Sequence, residues 1–161
     1  MTETINIYTD GSSLGNPGPG GYGIILEWKK KKYIKEYSQG FIYTTNNRME
    51  LLAVVVALEK LKIKRANVEV FTDSKYIVDS VELKRIFKWE DNNFKKIKNP
   101  DLWIRFLKMN KKYDIKFSWI KGHNNHPQNE RCDMLAVIAA KSNPTVRDIY
   151  YEESHKKLNL K

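Results

Sequence analysis

The chain has 161 residues, the size of one compact domain able to bury roughly 70% of its unfolded surface, and its 41% hydrophobic and 12% aromatic content excludes a disordered chain. Twenty-nine Lys and Arg against nineteen Asp and Glu leave a net charge of +10, which favours a polyanionic partner such as nucleic acid. The longest apolar run, residues 51–58, falls far short of the ~20 residues that cross a bilayer, and the single cysteine, Cys132, excludes an internal disulfide and a cysteine-based zinc cluster.

The N-terminal MTETINIYTDG has neither the basic nor the apolar region of a secretory leader, so the expectation is a cytoplasmic, monomeric protein in a reducing compartment, with no membrane partner. Residues 5–9 are β-branched or aromatic and end at Asp10-Gly11, a turn signal, which predicts a first strand. The glycine-rich stretch that follows, GSSLGNPGPGGYG, is not closed by Gly-Lys-Ser/Thr and so is no Walker A loop; its glycines suit a close backbone approach or a tight turn. Residues 23–28 and 33–41 read as two further strands around a lysine-rich tip, an antiparallel meander. From 47 to 61 the chain is apolar nearly all round and free of Gly and Pro, which predicts a helix buried on most sides and lying across the sheet. Residues 68–72 predict a fourth strand and 74–83 a helix, so part of the sheet is parallel. The segment 84–98 holds six basic residues, two acids and three aromatics and reads as an amphipathic helix with a positive face. A short helix over 101–109, a strand over 115–120, the polar loop KGHNNHPQ and a helix over 129–141 follow. After Asn143-Pro144 no periodicity is legible, so 1–144 reads as one domain and 145–161 as a partly disordered tail.

Two strands end alike, in Tyr8-Thr9-Asp10-Gly11 and Phe71-Thr72-Asp73-Ser74. As parallel neighbours they would set two carboxylates side by side, roughly 5 Å apart at the backbone, at one end of the sheet. Glu50 falls on the apolar stripe of Val54, Ala57 or Leu58 and Leu61, and Asp133 on that of Ala136, Val137 and Ala140. Each acid alone has an ordinary explanation: Asp10 starts a turn, Asp73 caps a helix, Glu50 completes a capping box with Asn47, and Asp133 suits a helix dipole. Four such acids in a basic protein are better explained together, as oxygen ligands for hard divalent cations. Two Mg²⁺ roughly 4 Å apart can clamp the attacking and leaving oxygens of a phosphoryl displacement, so an acidic pocket on a basic surface points to a nuclease. His123, His126 and Cys132 lack the fourth ligand of a zinc site.

The motifs YTDGSSLGNPGPGGYG, TTNNRMELLA, FTDSKY, NPDLW and KGHNNHPQNERCDMLA, in this order and spacing between about residues 3 and 144, resemble bacterial ribonuclease H of type 1. The resemblance implies an α/β fold, a five-stranded mixed sheet in the order 3-2-1-4-5 flanked by helices. It implies Asp10, Glu50, Asp73 and Asp133 as metal ligands, the quartet already reached from the residues. Mg²⁺ would be the cofactor, two ions with substrate bound and Mn²⁺ a substitute. The substrate would be the RNA strand of an RNA·DNA hybrid, cut by a metal-activated water to leave 5′-phosphate and 3′-hydroxyl ends. Asp10 would bridge both metals, Asp133 would help hold the one carrying the water, and Glu50 and Asp73 would hold the one facing the leaving oxygen. His123 matches a mobile-loop histidine that assists proton movement or product release.

Asn16, Asn46, Asn47 and Ser13 match readers of the minor groove and its 2′-hydroxyls, and Thr45 matches a DNA-phosphate pocket. Two positions depart from the family pattern: Lys75 stands where Gln is common, turning a groove contact into a charge contact, and Tyr43 stands where some relatives carry Arg beside the phosphate pocket. The segment 84–98 resembles the family's basic protrusion, shorter and with Trp89 and Phe94 in place of a row of tryptophans. Its candidate hybrid contacts are Lys84, Arg85, Lys88, Trp89, Lys95 and Lys96. The rival readings are a non-catalytic hybrid-binding module of the same fold and a basic adaptor whose acids merely cap helices.

Overall fold

The computed structural model describes residues 3–122 and 124–159. Strands β1 (Glu3–Ser13), β2 (Gly18–Trp28) and β3 (Tyr33–Thr44) form the antiparallel meander. Helix α1 (Asn46–Glu59) leads to β4 (Ala66–Thr72), which pairs parallel with β1. Helices α2 (Lys75–Glu82), α3 (Arg85–Asp91) and α4 (Pro100–Lys112) then lead to β5 (Asp114–Trp119), parallel to β4. The chain ends in α5 (Pro127–Lys141) and α6 (Ile149–Asn159). The strand order is β3-β2-β1-β4-β5, the order the resemblance implies.

Alternation along the strands divides the core between two faces. Ile5, Ile7, Ile24, Val68 and Val70 pack with α1 and with Leu102, Trp103 and Phe106 of α4, each such side chain contributing about 1.5–3 kcal/mol by leaving water. On the other face Tyr8 and Ile25 meet Cys132 of α5. Helix α1 is apolar nearly all round because it lies between the sheet and α4, and every residue from Arg48 to Val55 is buried.

The glycine-rich stretch is largely strand, since β2 begins at Gly18 rather than at 23. The cause is α5, which rests directly on the sheet. A Cβ on Gly23 would lie 2.2 Å from the carbonyl oxygen of Cys132, and one on Gly21 would lie 2.6 Å from that of Ala136. The expected helix over 84–98 is also shorter. It ends at Asp91, and Asn93, Phe94 and Lys96 take left-handed conformations, in keeping with the Asn92-Asn93 pair that competes with helical hydrogen bonding. Beyond Pro144, where no periodicity is legible, α6 packs back on the body: Asp148 and Tyr151 are buried, and the Ile42 N–H donates to the Val146 carbonyl at 2.9 Å.

Candidate active site

The repeated aromatic-Thr-Asp is a register fact. Tyr8 pairs with Phe71 across the parallel strands, their rings stacked with centroids 4.8 Å apart, and two residues further on Asp10 and Asp73 stand at the same sheet end. Glu50 joins them because α1 presses on the end of β1. A Cβ on Gly11 would sit 2.3 Å from the Glu50 nitrogen and 2.5 Å from the Met49 carbonyl carbon, an approach that only glycine permits. Asp10, Glu50 and Asp73 each offer a carboxylate oxygen within 4.8 Å of the others. Asp10 and Glu50 are buried and Asp73 is half-buried.

None of the three acids is explained as a cap. Thr45 caps α1, accepting from the Arg48 N–H at 3.2 Å, so the box of Asn47 with Glu50 does not form. Ser74, not Asp73, caps α2, accepting from the Ile77 N–H at 3.4 Å. Burial, and then the charge of Asp73, pushes the Asp10 carboxyl up to about 7, although the Gly11 N–H donates to its Oδ1 at 2.9 Å. Burial and the neighbouring Asp10 hold Glu50 well above the usual carboxylate range. Glu50 Oε2 is buried without a hydrogen-bond partner among the described residues. An orphaned buried oxygen within a set of mutually repelling carboxylates fits a hard divalent cation, which would satisfy the oxygen and cancel the repulsion. Asp133, half-buried on α5, stands outside this tight trio, yet its charge also raises Asp10.

The end of β5 holds Asp73 from its other side. The Trp119 Nε1–H donates to the Asp73 carbonyl at 3.1 Å, the Ile120 N–H donates to the Thr72 carbonyl at 2.9 Å, and a Cβ on Gly122 would lie 2.8 Å from Asp73 Oδ2. His123, the expected proton-handling residue, lies outside the described residues.

The expected substrate contacts fall into two groups. Around the start of α1, the Asn46 N–H donates to Asn16 Oδ1 at 3.1 Å, and the Ser13 hydroxyl donates to the Gly15 carbonyl. Asn16, Thr45 and Asn47 line a cavity of about 530 Å³. Lys75, exposed at the start of α2, holds its ammonium 4.9 Å from the Trp119 ring. In the second group Lys84, Arg85, Lys88, Lys95 and Lys96 are exposed, whereas Trp89 is half-buried with its ring edge-on to Trp103 at 5.6 Å.

Sequence reasoning assigned no role to Asn99 or Arg48. Asn99 lines the same cavity as Thr45. Arg48, 3% exposed, donates to Asn99 Oδ1 at 3.2 Å, to Asp101 at 2.9 and 2.8 Å, and to Asp148 at 2.7 and 3.0 Å. Burial works against its charge, but the two acids outweigh it and hold the guanidinium protonated. The available signal was a cation on an otherwise apolar helix, within the motif TTNNRMELLA.

The RNase H family pattern matches residues 2–141, and curated relatives align over most of the chain. The chain belongs to the ribonuclease H family. A ribonuclease H of Desulforamulus reducens is 52% identical over 144 residues, covering 86% of this chain and 89% of that protein. One of Trichodesmium erythraeum is 48% identical over 160 residues, covering 94% of this chain and 100% of that protein. Among solved structures, LC9-RNase H1, a type 1 RNase H with the type 2 active-site motif, superposes with a TM-score of 0.79 at 31% identity, covering 96% of this chain and 82% of that one. LC11-RNase H1 in complex with RNA/DNA hybrid gives a TM-score of 0.65 at 31% identity, covering 86% of this chain and 97% of that one. This ribonuclease H is therefore an endoribonuclease of a metal-dependent family, with a candidate metal site at Asp10, Glu50 and Asp73.

Proposed function

We propose that this ribonuclease H hydrolyses the RNA strand of RNA·DNA hybrids, leaving 5′-phosphate and 3′-hydroxyl ends, with two Mg²⁺ held by Asp10, Glu50, Asp73 and Asp133. The observation that carries the reading is the trio of carboxylates gathered within 4.8 Å at one sheet end of a protein of charge +10. Bound there, Mg²⁺ supplies activation of the attacking water and neutralises the charge that develops on the leaving oxygen. Asp10, whose Oδ1 accepts from the Gly11 N–H and whose carboxyl feels the charges of Asp73 and Asp133 beside Glu50, would help hold both ions. Glu50 and Asp73 serve the leaving side and Asp133, from the opposite face of the sheet, the side of the water. His123 assists proton movement or product release. Asn16, Asn46, Asn47 and Ser13 read the minor groove and its 2′-hydroxyls, Thr45 takes a DNA phosphate, and Lys75 adds a charge contact. The RNA/DNA hybrid carried by LC11-RNase H1 supports the choice of substrate.

The test is cleavage of one sequence presented as hybrid, duplex RNA and duplex DNA, in Mg²⁺, in Mn²⁺ and in EDTA. The expected result is cutting of the RNA strand of the hybrid alone, in either metal and not in EDTA. A hybrid that is bound but left whole in Mg²⁺ would replace this reading with the non-catalytic module.

A further inference from the structure

The cavity beside Thr45 has a wall that none of the sequence motifs supplies. Asn16, Thr45 and Asn47 line one side, and Tyr150, Tyr151, Ser154 and His155 of α6 line the other. Beyond His155 opens a second cavity of about 460 Å³, bounded by Tyr43, Arg147, Glu152, His155 and Lys156. His155 is thus common to both, and the two spaces adjoin along one face of α6.

That face is held by the residues on either side of Thr45. Asp148, just before α6, accepts from the Thr44 hydroxyl at 2.7 Å and from Arg48 at 2.7 and 3.0 Å. Tyr151 is buried, with its ring 5.6 Å from that of Tyr43. Helix α6 is therefore placed by the segment that places Thr45. The charges are distributed unevenly. Arg48 has its donors committed to Asp101, Asp148 and Asn99, and Arg147 is paired with Glu152 at 2.5 Å, so neither is available to an incoming anion. Among the described residues, His155 and Lys156 form no ion pair, and Lys156 is exposed. A polar wall on the Thr45 cavity, continued by Lys156 on the cavity that shares His155 with it, suits the phosphodiester backbone of a strand that continues past Thr45.

We propose that α6 is part of the hybrid interface, with His155 and Lys156 contacting the backbone phosphate next to the one taken by Thr45. This rests on the hybrid-binding reading above. Within it, Lys156 is the permanent charge. His155 Nδ1 lies 3.0 Å from the Tyr151 carbonyl, which can only accept a hydrogen bond from Nδ1–H and so leaves Nε2 for the ligand.

The experiment is equilibrium binding of a labelled hybrid in EDTA across a salt series, so that cleavage plays no part. The double variant His155→Ala/Lys156→Gln is expected to bind on the order of threefold to tenfold more weakly, and the slope of log affinity against log salt to shrink by about 0.9 for each phosphate that is no longer neutralised. Tyr43→Arg, which sets a cation on the far wall of the second cavity, is expected to recover much of that slope in the double variant. Lys64→Gln removes the same charge just before β4, at the opposite end of the sheet from Asp73, and is expected to leave affinity and slope unchanged. The proposal is overturned if the double variant binds as the unmodified chain does, or if Lys64→Gln weakens binding equally. Absence of hybrid binding by the unmodified chain overturns both this inference and the reading on which it rests.

Discussion

Asp10 is the residue on which the proposed chemistry converges, and its position follows from three local facts: the register of Tyr8 with Phe71, the glycine at 11, and the buried Met49 and Glu50 of α1 that press on it. Replacing it by the nearly isosteric Asn keeps the packing and removes the charge with which it would hold the proposed cation. Asp10→Asn and Asp73→Asn are therefore expected to lower kcat by about a thousandfold or more while leaving hybrid affinity in EDTA close to that of the unmodified chain. Steady-state cleavage beside binding in EDTA checks both halves, and near-normal turnover in either variant would remove the acid trio from the chemistry. At this scale the sequence is most informative where a residue violates its surroundings. Glu50 is legible because a carboxylate interrupts an apolar stripe, and Asp73 because its tripeptide repeats that of Asp10. Asn99 and Asp148 are not, because their meaning lies in Arg48, respectively 51 and 100 residues away, and no spacing rule reaches so far.

Among the elements, α3 and the turns after it are what remain of the expected basic helix, and the difference bears on their role. Ile86 is buried and Trp89 packs on Trp103, so the apolar side of the segment is anchored in the core while its cations face solvent. A handle of this kind contributes equally to bound substrate and transition state. Changing Lys84, Arg85, Lys88, Lys95, Lys96 and Lys98 to Gln is expected to raise KM several-fold, flatten its salt dependence by up to about 0.9 for each phosphate left unpaired, and spare kcat. An unchanged KM across the salt series would leave the segment as a solvated surface. The junction at Arg48 is of another kind, joining the starts of α1 and α4 to the residue before α6. Arg48→Ala strands two acids, one of them buried, and is expected to cost about 3–5 kcal/mol in urea unfolding, whereas a loss under 1 kcal/mol would mean that the acids find water instead.

For the molecule as a whole, alternation and turn signals make the meander legible, and the strand-helix-strand order makes the parallel half legible. The order 3-2-1-4-5 came only from the family resemblance, because pairing of β1 with β4 is a choice among edges that periodicity does not encode. The tail is illegible for a related reason, since its anchors are the ion pair and hydrogen bond of Asp148, a backbone hydrogen bond at Val146 and one buried tyrosine rather than an apolar stripe. What this architecture does with charge yields a test of the entire site. The Asp10 carboxyl rises from 3.8 to about 7 on folding, and Glu50 also rises. Without metal the folded state thus binds more protons than the unfolded state between those values, and stability falls as pH climbs through that window. Asp10→Asn removes the titrating group. Its melting temperature in EDTA is expected to match that of the unmodified chain near pH 4 and to exceed it by several degrees near pH 8, at about 2–4 °C per kcal/mol for a domain of this size. On the proposed reading Mg²⁺ would bind the ionised cluster of the unmodified chain in place of the protons, so it is expected to stabilise that chain most near pH 8 and to close the gap. Thermal melts of both proteins at several pH values, with EDTA and with Mg²⁺, measure this directly, and a difference that does not vary with pH would mean that the acids carry no folding penalty for a metal to relieve.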